Sequence, residues 1–168
     1  MSNLRHAFRI NVGFIVHEEI GYSHDFPFEF DVVSLGDDLV LTDFSGNIHI
    51  GRTPQGLVTT GAFEGKMTLE CARCLNDFTH KLEWDFTELF AFKSEMVDES
   101  VLPLPDSAQI DFEPILREYA LLEVPINPLH APDCQGLCME CGQDLNVADC
   151  GHEDIDESSP FSELKKLL

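Results

Sequence analysis

The sequence predicts an α+β protein, in which an antiparallel, meandering and barrel-like β-sheet is followed by a helix, a cysteine-rich segment and a short terminal helix. Three observations support this prediction. Apolar and polar residues alternate between residues 32 and 90, turn residues interrupt the alternation at short intervals, and a helical period replaces it after residue 110. Because the segments are so closely spaced, they leave no room for crossover helices, and neighbouring strands should run antiparallel.

The strand-forming segments follow one another through short connections rich in turn residues. Ser45–Asn47 and Thr53–Gly56 have the composition of tight hairpin turns. The candidate strands are LVLTDF (39–44), IHIGR (48–52), LVTTGAFEG (57–65), KMTLEC (66–71) and FTHKLEWDFTELF (78–90).

Beyond the strands, the chain changes from period two to a linker and then to helical spacing. The polar, acidic segment 93–109 contains two prolines and predicts an exposed linker. In 111–123 the apolar residues recur at helical spacing, with Pro114 in the first turn, and 160–168 predicts a second, short helix. We therefore expect one structural unit in three parts: a β domain (1–93), an acidic linker with a helix that packs on the sheet (94–129), and a cysteine-rich segment with the terminal helix (130–168).

The chain is strongly acidic, with a formal net charge of -21. Residues 94–160 hold sixteen Asp and Glu against a single basic residue, Arg117. Nucleic-acid affinity comes mostly from Lys and Arg that displace counterions, so this charge disfavours direct contact with RNA or DNA. It fits either a solvated surface or a surface that binds a basic partner.

The N-terminal residues lack the apolar core and cleavage site of a secretory signal peptide, and no segment approaches membrane-spanning length. We therefore expect a cytoplasmic protein, or one in an organelle after removal of a transit peptide, that does not bind membranes. Thiols are kept reduced in that compartment, which argues against disulfides for the six cysteines.

The cysteines and two of the histidines fall into four close pairs, as expected of zinc ligands. Two cysteines separated by two residues can bring both sulfurs onto one tetrahedral zinc ion. The candidate ligands are Cys71, Cys74, His130, Cys134, Cys138, Cys141, Cys150 and His152.

Two ligand assignments stay open from the sequence. With two structural ions, Cys138, Cys141, Cys150 and His152 form a local site, while Cys71 and Cys74 join Cys134 and His130 and tie the C-terminal segment to the sheet. With one ion, the ligands are the two Cys-x-x-Cys pairs.

Other interpretations of the cysteines compete with zinc. Cys71 fits a small apolar core residue, because free cysteine is commonly buried. A redox pair requires a Cys-x-x-Cys at a helix N-terminus in a βαβ unit, which neither pair has. No nucleophile elbow, phosphate-binding loop or paired carboxylates stand out, so the sequence predicts no active site and no enzyme.

Three blocks of the sequence resemble the YceD family of large-subunit ribosomal RNA accumulation proteins. They are LECARCLNDFTHKLEWDFTELF, then LLEVPINPLHAPDCQGLCMECGQDLN, and finally PFSELKKLL, and the resemblance extends from residue 39 to 168. The most specific parts are Cys-Ala-Arg-Cys before an aromatic strand and GLCMECGQDLN. Relative to the family pattern, His130 and His152 replace cysteines, and both replacements can still bind zinc.

The resemblance implies a non-enzymatic factor needed for accumulation of 23S ribosomal RNA and for large-subunit assembly. Together with the charge, it predicts an acidic adaptor for a basic large-subunit ribosomal protein or a pre-ribosomal particle, with ribosomal RNA contacted indirectly. The binding residues expected are the acidic stretches 98–106 and 153–157, and Arg73 is a cation that contacts RNA or a carboxylate, or is structural. The alternatives are a zinc- or thiol-dependent enzyme or redox sensor, and a zinc protein that binds RNA directly.

Overall fold

The computed structural model describes residues 7–92 and 101–152 of the 168-residue chain. Strands β2 to β5 are long, with 13 to 15 residues each. The elements in chain order are β1 (Arg9–Asn11), α1 (Gly13–His17), β2 (Ser23–Leu35), β3 (Leu39–Arg52), β4 (Gly56–Glu70), β5 (Asp77–Ala91), β6 (Leu102–Pro103), β7 (Gln109–Asp111) and α2 (Glu113–Glu123).

The main sheet has five strands in the order β2-β3-β4-β5-β6. The β2–β3 and β3–β4 pairs are antiparallel, as the short connections predict. The fifth strand, β6, pairs parallel to β5, with Phe90 opposite Leu102. The sheet is therefore mixed, and within the described residues it stays open between β2 and β6. The prediction of a wholly antiparallel, barrel-like sheet was wrong in these two respects.

The meander was predicted correctly because its strands bury one face. In β5, Leu82, Trp84 and Phe86 are buried, whereas the alternating Glu83 and Asp85 are exposed. Side chains of a strand point alternately to its two faces, so period two in the sequence becomes one apolar and one polar face of the sheet.

The core under the buried face is rich in aromatic rings. The ring centroids of Phe44 and Phe63 lie 5.3 Å apart, and those of Phe63 and Trp84 lie 5.8 Å apart, both pairs in stacked geometry. Phe86 continues the series towards the helix by contacting Phe112 and Tyr119. Burying each such ring stabilises the fold by about 1.5–3 kcal/mol.

The predicted hairpin turn at Ser45–Asn47 is absent, because β3 runs through it without a break. The pairing of β3 with β4 instead shifts between Thr42 and Ser45, and Asp43 has a left-handed backbone with φ of 50°. A Cβ at Gly46 would overlap the ring of Phe63. The glycine therefore serves the close approach of an aromatic side chain to the backbone, and the second predicted strand, IHIGR, is the continuation of the first.

The predicted helix was correct, and α2 covers Glu113–Glu123 with Pro114 in its first turn. Leu116 and Ala120 are fully buried, and Tyr119 is partly buried against the same core. Proline is tolerated there because the first N–H groups of a helix have no partner within it.

The predicted linker contains short regular elements that the sequence did not indicate. β6 extends the main sheet, and β7 pairs antiparallel with β1 in a separate two-stranded sheet. Residues 93–100 of the linker and the predicted terminal helix at 160–168 lie outside the described residues. No helix in the described ranges combines the length and the apolar composition needed to cross a membrane.

The chain forms two compact units. The first contains Met1–Leu69 and Thr79–Ile126 and includes the aromatic core. The second contains Glu70–Phe78 and the chain from Asn127 onwards, and so includes all six cysteines.

Candidate metal centres

The Cys71–Cys74 pair occupies a tight turn directly after β4. The N–H of Cys71 donates to the carbonyl of Asn76 at 2.9 Å, and the N–H of Leu75 donates back to the carbonyl of Cys71 at 2.9 Å. Leu75 has a left-handed backbone with φ of 59°. This reversal places both sulfurs on the same side of the turn.

Group 1 consists of Cys71, Cys74, His130 and Cys134, whose ligand atoms all lie within 4.8 Å of one another. The sulfurs of Cys71 and Cys134 are 3.8 Å apart. The Nδ1 of His130 lies 3.3 Å from the Cys74 sulfur and 3.5 Å from the Cys71 sulfur. The three cysteines are buried and the histidine is exposed.

Group 2 consists of Cys138, Cys141, Cys150 and His152, again with all ligand atoms within 4.8 Å. The Nδ1 of His152 lies 3.7 Å from the Cys138 sulfur and 3.3 Å from the Cys150 sulfur. Cys138 alone is buried, and both Cys141 and His152 are exposed. Gly142, with φ of 72°, turns the chain after the second cysteine.

Both groups fit a tetrahedral zinc ion. With Zn–S distances of about 2.3 Å and Zn–N distances of about 2.0–2.1 Å, tetrahedral ligands lie about 3.8 Å apart for two sulfurs and about 3.6 Å for sulfur and nitrogen. The separation of 3.8 Å between the Cys71 and Cys134 sulfurs and the sulfur–nitrogen separations of 3.3–3.7 Å in the two groups match these edges. All six cysteines are free thiols. Each group could therefore hold one metal ion.

The thiols of each group differ in pKa. Burial raises the pKa of Cys71, but hydrogen bonds from the Cys74 N–H and from His130 outweigh burial, and the pKa falls to about 5. Burial and the neighbouring thiols of Cys71 and Cys134 raise the pKa of Cys74.

In group 2, the backbone N–H groups of Cys141 and Glu140 lower the pKa of Cys138 to about 7. Since the thiolate is the form that binds metal, the lowered pKa values of Cys71 and Cys138 favour metal binding at these two sulfurs.

The two groups divide the eight candidate ligands as the two-ion assignment does. The four cysteines of the one-ion assignment lie in different groups, Cys71 and Cys74 in one and Cys138 and Cys141 in the other. Group 1 joins the β4–β5 connection to the chain after Asn127, and both segments belong to the same compact unit. The buried position expected of Cys71 as a core residue is also observed, and Cys71 shares its cluster with the candidate ligands Cys74 and Cys134 as well as with partly buried apolar residues.

Residues around the ligands support both groups; the sequence singled out Arg73 among them, but not Asp144, Asn146 or Asn76. Arg73 donates from Nη1 to the carbonyl of Cys134 at 2.8 Å, so its guanidinium holds a ligand-bearing segment. Asp144 accepts hydrogen bonds from the N–H and side chain of Asn146 and from Asn76, and these bonds lower its pKa. The sequence feature that could have indicated Asp144 and Asn146 is the presence of short polar residues between cysteines, because Asp and Asn commonly form hydrogen bonds to nearby backbone.

The acidic stretches expected to bind a partner are only partly described. Residues 98–100 and 153–157 lie outside the described residues. Asp106, at the end of the first stretch, is exposed.

Comparisons with known proteins find one matching family model and several relatives of this chain. The family model "Large ribosomal RNA subunit accumulation protein YceD" matches residues 59–168. The chain is 33% identical over 127 residues to an uncharacterised protein of Mycobacterium tuberculosis, covering 73% of this chain and 60% of that protein. It is 27% identical over 127 residues to an uncharacterised protein of Mycobacterium leprae, covering 70% of this chain and 58% of that one.

A relative with a functional name comes from Arabidopsis thaliana. It is the "Large ribosomal RNA subunit accumulation protein YCED homolog 1, chloroplastic", 32% identical over 67 residues, or 38% of this chain and 21% of that protein. The chain spans about 60% of the length of the mycobacterial relatives. No solved structure matches. Because the family model covers well over half of its residues, the chain belongs to the YceD family.

Proposed function

We propose that this protein is a non-enzymatic factor that supports accumulation of 23S ribosomal RNA and assembly of the large ribosomal subunit. Membership of the YceD family carries this proposal, since the family is described by large ribosomal RNA subunit accumulation. The name of the Arabidopsis relative points the same way.

The metal ions in this proposal are zinc and their role is structural. Each group offers four protein ligands, which fill a tetrahedral ion, whereas catalytic zinc sites keep a position open for water or substrate. Three thiolates and one imidazole are a ligand set that suits zinc in a reducing compartment. When bound, the ion of group 1 would cross-link the Cys71–Cys74 turn and the chain after Asn127, and the ion of group 2 would close the loop between Cys138 and His152.

The partner in this proposal is a basic large-subunit ribosomal protein, and RNA is contacted through it. The net charge of -21 favours a basic partner over a phosphate backbone. On the polar face of the sheet, the carboxylates of Glu64, Glu83 and Asp85 line an open groove of about 590 Å³. The ammonium group of Lys81 forms ion pairs with Glu64 and Glu83 of this groove, and a basic side chain of a partner would form ion pairs of the same kind.

Depletion of the protein in its native host tests the function. We expect a lower ratio of 23S to 16S RNA and fewer mature large subunits on a sucrose gradient, both restored by the wild-type gene. An unchanged ratio after complete depletion would remove the proposed function.

Measurements on purified protein separate the alternatives. Tightly held zinc with few reactive thiols supports structural sites, whereas metal-free protein with a readily oxidised cysteine pair would indicate a redox sensor. Salt-dependent binding to isolated ribosomal RNA, with no binding to basic ribosomal proteins, would indicate direct RNA binding.

A further inference from the structure

The loop 142–149 belongs to group 2 by sequence but contacts group 1 in the structure. It runs between Cys141 and Cys150, so both of its ends are group 2 ligands. From this loop, the Nδ2 of Asn146 donates to the Cys134 sulfur of group 1 at 3.5 Å. The two groups therefore share a loop.

Both polar atoms of the Asn146 side chain, Nδ2 and Oδ1, form hydrogen bonds at this point. One hydrogen of Nδ2 points to Cys134, and the other is available to the Asp144 carboxylate at 2.7 Å. The Oδ1 accepts from the backbone N–H of Gln135, next to Cys134, at 2.8 Å. An amide has two donor hydrogens and one carbonyl, so a carboxylate could not replace it here.

The position of Asn146 is fixed from a second direction through Asp144. The Asp144 carboxylate accepts from the N–H of Asn146 at 2.9 Å and from Nδ2 of Asn76 at 2.8 Å. Asn76 lies two residues after Cys74 and accepts the N–H of Cys71. The chain of hydrogen bonds thus runs from the loop of group 2 to both cysteine-bearing segments of group 1.

The backbone of the loop is tied down as well. The Cys138 N–H donates to the carbonyl of Gln143 at 2.8 Å, and the Leu145 N–H donates to the carbonyl of Gly136 at 2.9 Å. When Cys141 and Cys150 bind the same ion, the loop between them is closed and loses much of its freedom. Asn146 is then already ordered when group 1 binds its ion, so its hydrogen bond to Cys134 forms with a smaller loss of conformational entropy.

We propose that Asn146 is a positioning residue that couples the two metal-binding groups, so that a filled group 2 raises the metal affinity of group 1. A hydrogen bond to a ligand sulfur fixes the orientation of that ligand towards the ion. By thermodynamic linkage, a filled group 1 raises the affinity of group 2 by the same factor. The inference rests on the metal binding proposed above and adds a coupling free energy between its two ions.

Site-resolved thiol protection of the full chain tests the coupling. Free Zn²⁺ is set by a chelator buffer, accessible cysteines are alkylated with iodoacetamide, and peptide mass spectrometry reports each cysteine. The midpoint for Cys71, Cys74 and Cys134 gives the affinity of group 1. We compare wild type, Asn146→Ala, Cys141→Ser and their combination, with Gln143→Ala as the matched control in the same loop.

The expected result is non-additive. Asn146→Ala and Cys141→Ser each raise the free Zn²⁺ needed to protect group 1 by about tenfold, the lower end of the loss usual for residues that support metal ligands. The double variant needs no more zinc than either single variant, and Gln143→Ala stays within twofold of wild type. A group 1 midpoint in Asn146→Ala equal to that of Gln143→Ala would overturn the proposal, as would two effects that multiply.

A second measurement covers the case in which Asn146→Ala fails to fold. In wild type, chelator should expose group 2 first, and loss of zinc from group 1 should accelerate once group 2 is empty. If the rate constant for zinc release from group 1 is the same before and after group 2 loses its zinc, the coupling would be overturned. These results do not depend on ribosomal RNA levels, so the coupling can fail while the proposed function stands; wild-type protein that binds no zinc would remove both the coupling and the structural metal role.

Discussion

The residue that follows the second cysteine has the same backbone conformation in both turns. Gly142 has φ of 72° and Leu75 has φ of 59°. Glycine adopts this left-handed conformation without strain, whereas for a residue with a Cβ the conformation destabilises the fold by about 1–2 kcal/mol. The Leu75 side chain is 56% exposed, so its burial offsets little of this strain.

We expect Leu75→Gly to stabilise the zinc-loaded protein. Relief of the left-handed strain should exceed the added entropy of glycine in the unfolded chain, with a net gain of about 0.5–1 kcal/mol in the free energy of unfolding. Urea unfolding followed by circular dichroism measures it. Leu75→Ala is the matched control, because it removes the side chain and keeps the Cβ, and it should give no gain. Destabilisation by Leu75→Gly alone would mean that the leucine side chain makes contacts that outweigh the strain.

Individual ligands were predictable where spacing alone identifies them, and supporting residues were not. The pairs Cys71–Cys74 and Cys138–Cys141 reveal themselves by two intervening residues, and His130 by its distance from Cys134. Asn146 supports a ligand twelve residues away, through an amide whose partners meet only after the chain folds. Sequence spacing carries no record of such a contact.

At the scale of elements, the sequence predicted the faces of strands better than their ends or neighbours. Alternation identified β4 and β5 because burial on one face is a local property of each strand. The two-residue strand β6 is too short to show a period, and its parallel pairing depends on where the chain returns. Gly46 gave a turn signal because glycine serves turns and close approaches alike.

A charge pair joins helix α2 to the turn between β2 and β3. The guanidinium of Arg117 donates to both carboxylate oxygens of Asp38, at 2.7 Å and 2.9 Å from Nη2. These hydrogen bonds hold the pKa of Asp38 below its usual range. A carboxylate with a lowered pKa stabilises the fold above its unfolded pKa, and this contribution disappears as the pH falls through the folded pKa.

We therefore expect Arg117→Gln to raise the pKa of Asp38 towards the ordinary value of about 3.9. The contribution of this ion pair to the decrease in the free energy of unfolding at low pH should disappear in the same variant. Carbon-13 NMR titration of the Asp38 carboxyl measures the change, with Glu118→Gln on the same helix as the control. An unchanged Asp38 titration in Arg117→Gln would show that the ion pair does not form in solution.

For the whole molecule, the two compact units differ greatly in the size of their cores. The first has an extensive apolar core that includes Phe44, Phe63 and Phe112. Among the described residues of the second, the apolar cluster consists of Cys71, Cys74 and Cys134, with three partly buried apolar residues packed against it. Ordering a residue costs about 1–2 kcal/mol of backbone entropy, which so small a core cannot offset without metal ligation.

Removal of zinc should therefore unfold the second unit and spare the first. Hydrogen exchange with mass spectrometry should show loss of protection in 70–78 and 127–152 after chelation, while β3 and β4 keep theirs. The control is the same chelator already saturated with zinc. If 70–78 stays protected in protein shown to be metal-free, the hydrogen bonds of the turn would suffice without the ion.

The net charge of the molecule makes a separate prediction about its partner. Complementary charges act mainly on the association rate, and their effect weakens with salt because exposed charges more than about 8 Å apart are screened at physiological ionic strength. If the polar face of the sheet receives a basic ribosomal protein, then Glu64→Gln, Glu83→Gln and Asp85→Asn together should slow association about three- to tenfold at low salt.

Stopped-flow or surface-plasmon-resonance measurements against purified basic large-subunit ribosomal proteins check this rate. The control variant Glu18→Gln, Glu19→Gln, Asp37→Asn removes the same number of exposed carboxylates elsewhere in the first unit. A general effect of net charge would slow both variants equally, because long-range attraction depends on total charge. A loss confined to the first variant, which shrinks as salt rises, would locate the docking surface on the groove beside Ala62, where the carboxylates of β4 and β5 lie.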